Sequence, residues 1–103
     1  MKTSQRSKKS SAFSYELKTT SRFEKDLKRM KKRGADISKL GKAIAVLQKG
    51  GALPKRHKTH GLVGEWRGHF ECHIQPDWLL IWKLSPQYII LVRTGTHSDL
   101  FKK

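Results

Sequence analysis

Four ionisable side chains, His60, His73, Asp77 and His97, are of the types that carry protons near neutral pH. They are scattered along the sequence, so only a fold could make one site of them. Two of them flank a turn in the segment Glu71-Cys72-His73-Ile74-Gln75-Pro76-Asp77-Trp78, which reads as a strand broken at Pro76 and resumed at Leu79. The chemistry that suits such a set is strand cleavage of RNA, which supplies its own nucleophile, the 2′-OH. A base must take the 2′-OH proton and an acid must protonate the departing 5′-oxygen, each contributing roughly 10²–10⁴-fold. Arg67 or Arg93 can fork a phosphate, and Trp78 or Phe101 can stack an unpaired base.

Charge points to the same class of partner. The 103 residues carry 23 Lys and Arg against 8 Asp and Glu, a formal net charge of +15 with neutral histidines. Such an excess repels itself and is relieved by a polyanion or an acidic protein. The length allows one domain with one modest core. No apolar run is long enough to span a bilayer, and no apolar stretch follows the basic N-terminus as in a signal peptide, so neither membrane nor secretion is expected. The single cysteine, Cys72, excludes an internal disulfide and fits a reducing cytosol.

These side chains need a sheet to hold them. Residues 1–12 are polar and basic with little to bury and are expected to be disordered, leaving 13–103 as one domain. Alternation predicts a strand over 13–18. Ser21 with Glu24 reads as a capping box opening a helix to about Arg33, with Phe23, Leu27 and Met30 on its apolar face and Gly34 past its end. Asp36 can cap a second helix that buries Ile37, Leu40, Ile44 and Leu47 and stops at Gly50. A long basic loop follows over 52–65. Strands are predicted over 66–74, 79–84 and 88–93, joined by short links. The order β-α-α-β-β-β describes an α+β domain: a helical hairpin on one face of a small, mainly antiparallel sheet, with the other face concave and polar. In that meander His73, Asp77 and His97 meet at one end of the sheet, with Arg93 at the same end.

Other readings compete at each position. Asp77 after Pro76 is good turn chemistry in itself, and His57 and His69 suit plain surface positions. Trp66 and Trp82 suit a core. A metal site is disfavoured, because Cys72 and His73 point to opposite sides of a strand and the surrounding positive charge opposes a cation. Cys72 falls on the apolar side, where a thiol is inert. From composition and spacing alone the chain is an RNA-binding domain first and a nuclease second.

Three spaced blocks add to this: His60-Gly61-Leu62-Val63-Gly64-Glu65-Trp66-Arg67-Gly68, the segment from Glu71 to Trp82, and Arg93-Thr94-Gly95-Thr96-His97-Ser98-Asp99-Leu100-Phe101. Together they resemble the YafQ-type branch of the RelE/ParE toxin superfamily. The resemblance covers about Tyr15 to Phe101 in element order and is specific from His60 onward. It implies a RelE-like fold and a metal-independent endoribonuclease, needing no cofactor, that cleaves mRNA in the ribosomal A site and so inhibits translation in the cytoplasm. The alternative is a non-catalytic basic module that binds RNA or the ribosome. It further implies an acidic antitoxin partner, with operator DNA bound only through the antitoxin complex. Its catalytic positions match His60, His73, Asp77 and His97. Its aromatic positions match Trp78 and Phe101, its acidic one Glu71, and its arginine after the last strand Arg93. We expect His97 to act as the acid, His73 or His60 as the base, and Asp77 to orient them or share a proton. Loss of the last few residues should then abolish activity and leave the fold largely intact.

Overall fold

The computed structural model describes residues 13–101. In chain order it comprises β1 (Glu16–Thr19), α1 (Ser21–Lys32), α2 (Ile37–Gln48), a 3-10 turn (Lys55–His57), β2 (His60–Gly61), a second 3-10 turn (Gly64–Trp66), β3 (Phe70–Gln75), β4 (Trp78–Leu84), β5 (Tyr88–Gly95) and α3 (His97–Phe101). The five strands form one mixed sheet in the order β1-β5-β4-β3-β2. β3, β4 and β5 are the expected antiparallel meander, with β2 added antiparallel to β3. β1 pairs parallel with β5, Glu16 opposite Tyr88 and Thr19 opposite Leu91. The expected disorder of residues 1–12 concerns a segment outside the described residues. No helix among the described residues is long and apolar enough to cross a membrane.

Helix ends follow from local side chains. Thr20, not Ser21, is the N-cap of α1: its hydroxyl oxygen accepts the Phe23 amide at 3.0 Å and its hydroxyl donates to the Val92 carbonyl at 2.8 Å. Glu24 does not close the box, since its carboxylate accepts the Thr19 hydroxyl instead. Gly34, at φ +83°, takes the left-handed turn that ends the helix. Asp36 caps α2 as expected, accepting the Ser38 amide and hydroxyl.

The main core lies between the helices and the sheet. Phe23 and Met30 of α1 and Leu40, Ala43 and Leu47 of α2 bury against Cys72, Trp78, Leu80, Trp82, Ile89 and Leu91. The opposite face is less polar than expected. Leu79 and Ile81 are fully buried there beneath Leu100, with Trp66, Val92 and Phe101 packed around them. The strand expected from residue 66 begins only at Phe70, because Trp66 belongs to a 3-10 turn and Gly68 is at φ +89°.

The largest departure is the tail. It is a helix, α3, opened by a capping box in Thr96 and Asp99. The Thr96 amide donates to Asp99 Oδ2 at 2.9 Å and the Asp99 amide donates to the Thr96 hydroxyl oxygen at 3.1 Å. Asp99 also receives both terminal nitrogens of Arg33, at 2.8 and 3.1 Å, tying α3 to α1. Removing the tail therefore exposes Leu79 and Ile81 and unpairs Arg33, so it costs stability as well as His97.

Candidate active site

The sheet register builds the site. His73 lies opposite Leu79, and Leu79 opposite Gly95, so His73 and the start of α3 share one end of the meander. The two-residue link Pro76-Asp77 closes the β3–β4 hairpin at that end. His97, the first residue of α3, donates its backbone amide to Asp77 Oδ1 at 3.0 Å, and its Nδ1 meets the same oxygen at 2.6 Å. A carboxylate can only accept, so Nδ1 carries the hydrogen and Nε2 is turned away from the pair. The His97 bonds, backbone first and ring second, hold the Asp77 carboxyl below the usual range, so it is ionised at neutral pH. The His73 ring lies 5.7 Å from the His97 ring, centre to centre. Its Nδ1 is 3.2 Å from the Pro76 carbonyl, which fixes the same tautomer and again leaves Nε2 unused. His97 and Asp77 are open to solvent, their side chains 54% and 67% exposed.

His60 stands beside this pair rather than in it. It lies opposite Glu71 on β3, its Nδ1 is 2.7 Å from the Lys58 carbonyl, and its Nε2 is 3.3 Å from Glu71 Oε1. Both ring nitrogens face oxygens of the protein. Among the described residues no group of three or more His, Cys, Asp or Glu is arranged to hold a metal ion. Cys72 is fully buried, and burial pushes its thiol up to about 12, which leaves no thiolate nucleophile near neutral pH.

A model of the bacterial toxin of type II toxin–antitoxin systems, YafQ, matches residues 15–102. The chain belongs to the YafQ toxin family. The mRNA interferase toxin YafQ of Escherichia coli strain K12 is 37% identical over 87 residues, 84% of this chain and 95% of that one. The crystal structure of YafQ from E. coli strain BL21(DE3) has a TM-score of 0.81 at 35% identity, over 84% of this chain and 98% of that one. The YafQ chain of the E. coli DinJ–YafQ toxin–antitoxin complex has a TM-score of 0.80 at 36% identity, over 85% and 98%.

Of the nine residues named from sequence, this YafQ-family chain brings His73, Asp77 and His97 together and sets His60 next to them. Arg67 and Phe101 are at the rim: Arg67 is exposed, and Phe101 is half-buried with its ring edge-on to Trp66 at 6.0 Å. The other three are placed differently from expectation. Trp78 is 2% exposed and belongs to the helix-side core, where its Nε1–H donates to Thr94 Oγ1 at 2.9 Å. Trp78, Leu80 and Trp82 share one face of β4, so the parity that sends Trp82 inward sends Trp78 inward too. It is not a platform for a base. Glu71 is also covered, 6% exposed, and faces His60.

Arg93 is committed to Asp26. β5 carries a bulge at this point: Ile81 lies opposite Arg93 while Trp82 lies opposite Leu91, leaving Val92 as the extra residue. Beyond the bulge Arg93 Nε donates to Asp26 Oδ2 at 2.7 Å and Nη2 donates to Oδ1 at 3.1 Å. The Thr94 amide donates to Asp26 at 3.1 Å and Arg29 Nη2 at 2.6 Å. The bonds to Asp26 raise the Arg93 pKa, holding the cation in its pair.

Asp26 and Asp99 are positioning residues that the sequence reading does not single out, although each carries a signal. Asp26 sits three residues after Phe23 and four before Met30, an acid on the apolar stripe of a helix otherwise crowded with cations. Thr96-His97-Ser98-Asp99 has the spacing of a capping box. His57, expected at the plain surface, is half-buried instead, and its Nδ1 is 2.7 Å from the His73 carbonyl, bracing β3.

Proposed function

We propose that this chain is the toxin of a bacterial toxin–antitoxin module and an endoribonuclease that cleaves messenger RNA by metal-independent acid–base catalysis. The observation that carries the reading is the pair of imidazoles, half-buried His73 and exposed His97, 5.7 Å apart, each with Nδ1 engaged and Nε2 unused. His73 Nε2 accepts the proton of a substrate 2′-OH as that oxygen attacks the adjacent phosphorus. The phosphorus–O5′ bond breaks, and protonated His97 delivers its Nε2 proton to the leaving oxygen. The ionised Asp77 fixes the His97 ring through Nδ1, leaving Nε2 toward the substrate. The products are a 2′,3′-cyclic phosphate and a new 5′-hydroxyl.

His60 is the lesser candidate for the base, since its Nε2 is directed at Glu71. We assign it, with Glu71, to holding the β2–β3 corner beside the scissile phosphate. Arg67 contributes a phosphate contact and Phe101 a stacking face. The +15 charge suits both messenger RNA in the ribosomal A site and an acidic antitoxin, with operator DNA reached only through the antitoxin complex. The site of action is the cytoplasm.

The test is expression of wild type and His97→Ala in growing cells, with primer extension on a translated message. The wild type produces new 5′ ends and arrests growth. The variant loses roughly 10²–10⁴-fold of cleavage. Equal arrest by both, or equal numbers of cut ends, rules out His97 as the acid.

A further inference from the structure

The surface behind the paired imidazoles is furrowed. One groove, lined by Arg56, His57, Lys58 and the His73–Pro76 backbone turn, opens at the His73 end of the site. It shares Arg56, His57 and Ile74 with a second groove, which runs on to Lys39, Lys42 and Val46 of α2. The two adjoin across these shared residues and together line a channel reaching from β3 to α2. Its floor is apolar, with Ala43, Leu53 and Ile74 along it. Its cations, Lys39, Lys42, Arg56 and Lys58, are exposed, and none of them forms a salt bridge among the described residues. The acids near the active site are, by contrast, paired: Asp26 and Asp99 with arginines, Asp77 with His97.

We propose that this channel is a second part of the nucleic-acid site: a track for single-stranded RNA on one side of the scissile bond, with Lys39, Lys42, Arg56 and Lys58 on successive phosphates. The inference rests on the nuclease reading for the identity of the strand. Three features favour RNA over an acidic peptide. The channel is continuous with His73, so a strand seated at the imidazoles has to leave past it or past Phe101. Lys39 and Lys42 are one helical turn apart, about 5–6 Å between their β-carbons, a gap one extended nucleotide bridges. Finally, the wall is tied to the chemistry, because His57 bonds the His73 carbonyl. Lys58 is held at φ +50°, the only positive φ outside glycine among the described residues, and its carbonyl in turn holds His60. A strand pressed into the channel therefore bears directly on both histidines.

The experiment compares two full-length variants of equal net charge. Lys39→Glu/Lys42→Glu/Arg56→Glu reverses the channel. Lys25→Glu/Lys28→Glu/Lys31→Glu reverses exposed cations of α1. Thermal melts verify that both fold. The probe is a fluorescent single-stranded RNA dodecamer, 2′-O-methylated so that it cannot be cut, titrated across a range of salt. With three phosphates no longer neutralised, the channel variant should bind roughly tenfold or more weakly, and its salt slope should fall by about 2, at roughly 0.7 per phosphate on a single strand. The α1 variant should keep the wild-type slope. On a translated message the channel variant should cut at wild-type positions with a raised KM. Equal loss in the two variants means that only overall charge matters and overturns the track. So does unchanged RNA binding by the channel variant, including the case in which it escapes neutralisation by the antitoxin, which would make the channel a protein-docking site. Failure of the wild type to cut any message refutes the nuclease reading, while the binding arm still decides the track.

Discussion

Replacing Asp26 by Asn should strongly destabilise this protein without touching His73, Asp77 or His97. Asp26 is 2% exposed and receives four donors: Arg93 Nε, Arg93 Nη2, Arg29 Nη2 and the Thr94 amide, at 2.6 to 3.1 Å. Asn keeps one oxygen and turns two hydrogens toward a cluster that is already all donors. Two charge-assisted bonds are lost, each worth about 1.5–3 kcal/mol. Arg93, its side chain 11% exposed, is left as an uncompensated buried cation. Breaking a buried pair from one side costs about 3–5 kcal/mol, at least about a fifth of the roughly 5–15 kcal/mol that holds such a domain together. At about 4–8 °C per kcal/mol for a domain of this size, the melting temperature should fall by at least about 12 °C. Urea unfolding followed by tryptophan fluorescence measures this directly. Asp26→Leu combined with Arg93→Met should recover most of the loss, because an apolar pair replaces the charges together. A loss under about 1 kcal/mol for Asp26→Asn would refute the argument. So would an Arg93→Met variant of wild-type stability that no longer cuts RNA, since Arg93 would then be a phosphate ligand after all.

Trp78→Phe should lower stability by about 1–3 kcal/mol through the lost Thr94 bond and the smaller ring, and leave cleavage by the folded fraction unchanged. Phe101→Ala should do the reverse where it matters, weakening RNA cleavage by the roughly 1–3 kcal/mol of one base stack. Unchanged stability with lost cleavage for Trp78→Phe would restore it as a base platform. Acid should release α3. The Asp99 carboxyl is held far below its ordinary value, chiefly by the Arg33 bonds, so the unfolded chain binds the extra proton first and stability rises with pH in that window. The contribution is complete above about pH 5, declines as pH falls through the ordinary carboxylate value near 4, and continues to decline toward the lower folded value. Urea midpoints of wild type and Asp99→Asn should converge as pH falls from 6 to 2.5, and parallel curves would contradict the pairing.

That His73, Asp77 and His97 meet at one end of the sheet could be read in advance because it depends on connectivity. Short links force β3, β4 and β5 into a meander, and a meander places residue 73, residue 77 and the exit from β5 at one end whatever the details of packing. What escaped depends on parity and on packing between distant elements. Trp78 follows Asp77, which suggests the site, but its direction is set by Leu80 and Trp82, and counting by two from Trp82 buries it. Arg93 escaped because the bulge at Val92 shifts the register, and no composition rule places a bulge there. Asp26 looked like one acid among solvated lysines, and only its phase on the stripe of Phe23 and Met30 marks it as interior. The parallel pairing of β1 is a contact across some seventy residues, invisible to local pattern. The α3 capping box was readable from spacing alone, at Thr96 and Asp99.

That long closure has a consequence in time. β1 precedes its partner and stays unpaired until β5 exists, and the Asp77–His97 bond cannot form until residue 97 is present as well. A chain complete only through β4 has two helices, a hairpin and no His97 beside Asp77. Pairing across such a separation is also intrinsically slow, because the loop must close before the contacts repay it. The Asp77–His97 end of the sheet is thus completed only after β5 has formed. The delay is an interval in which a partner can meet the chain before β5 and α3 are in place.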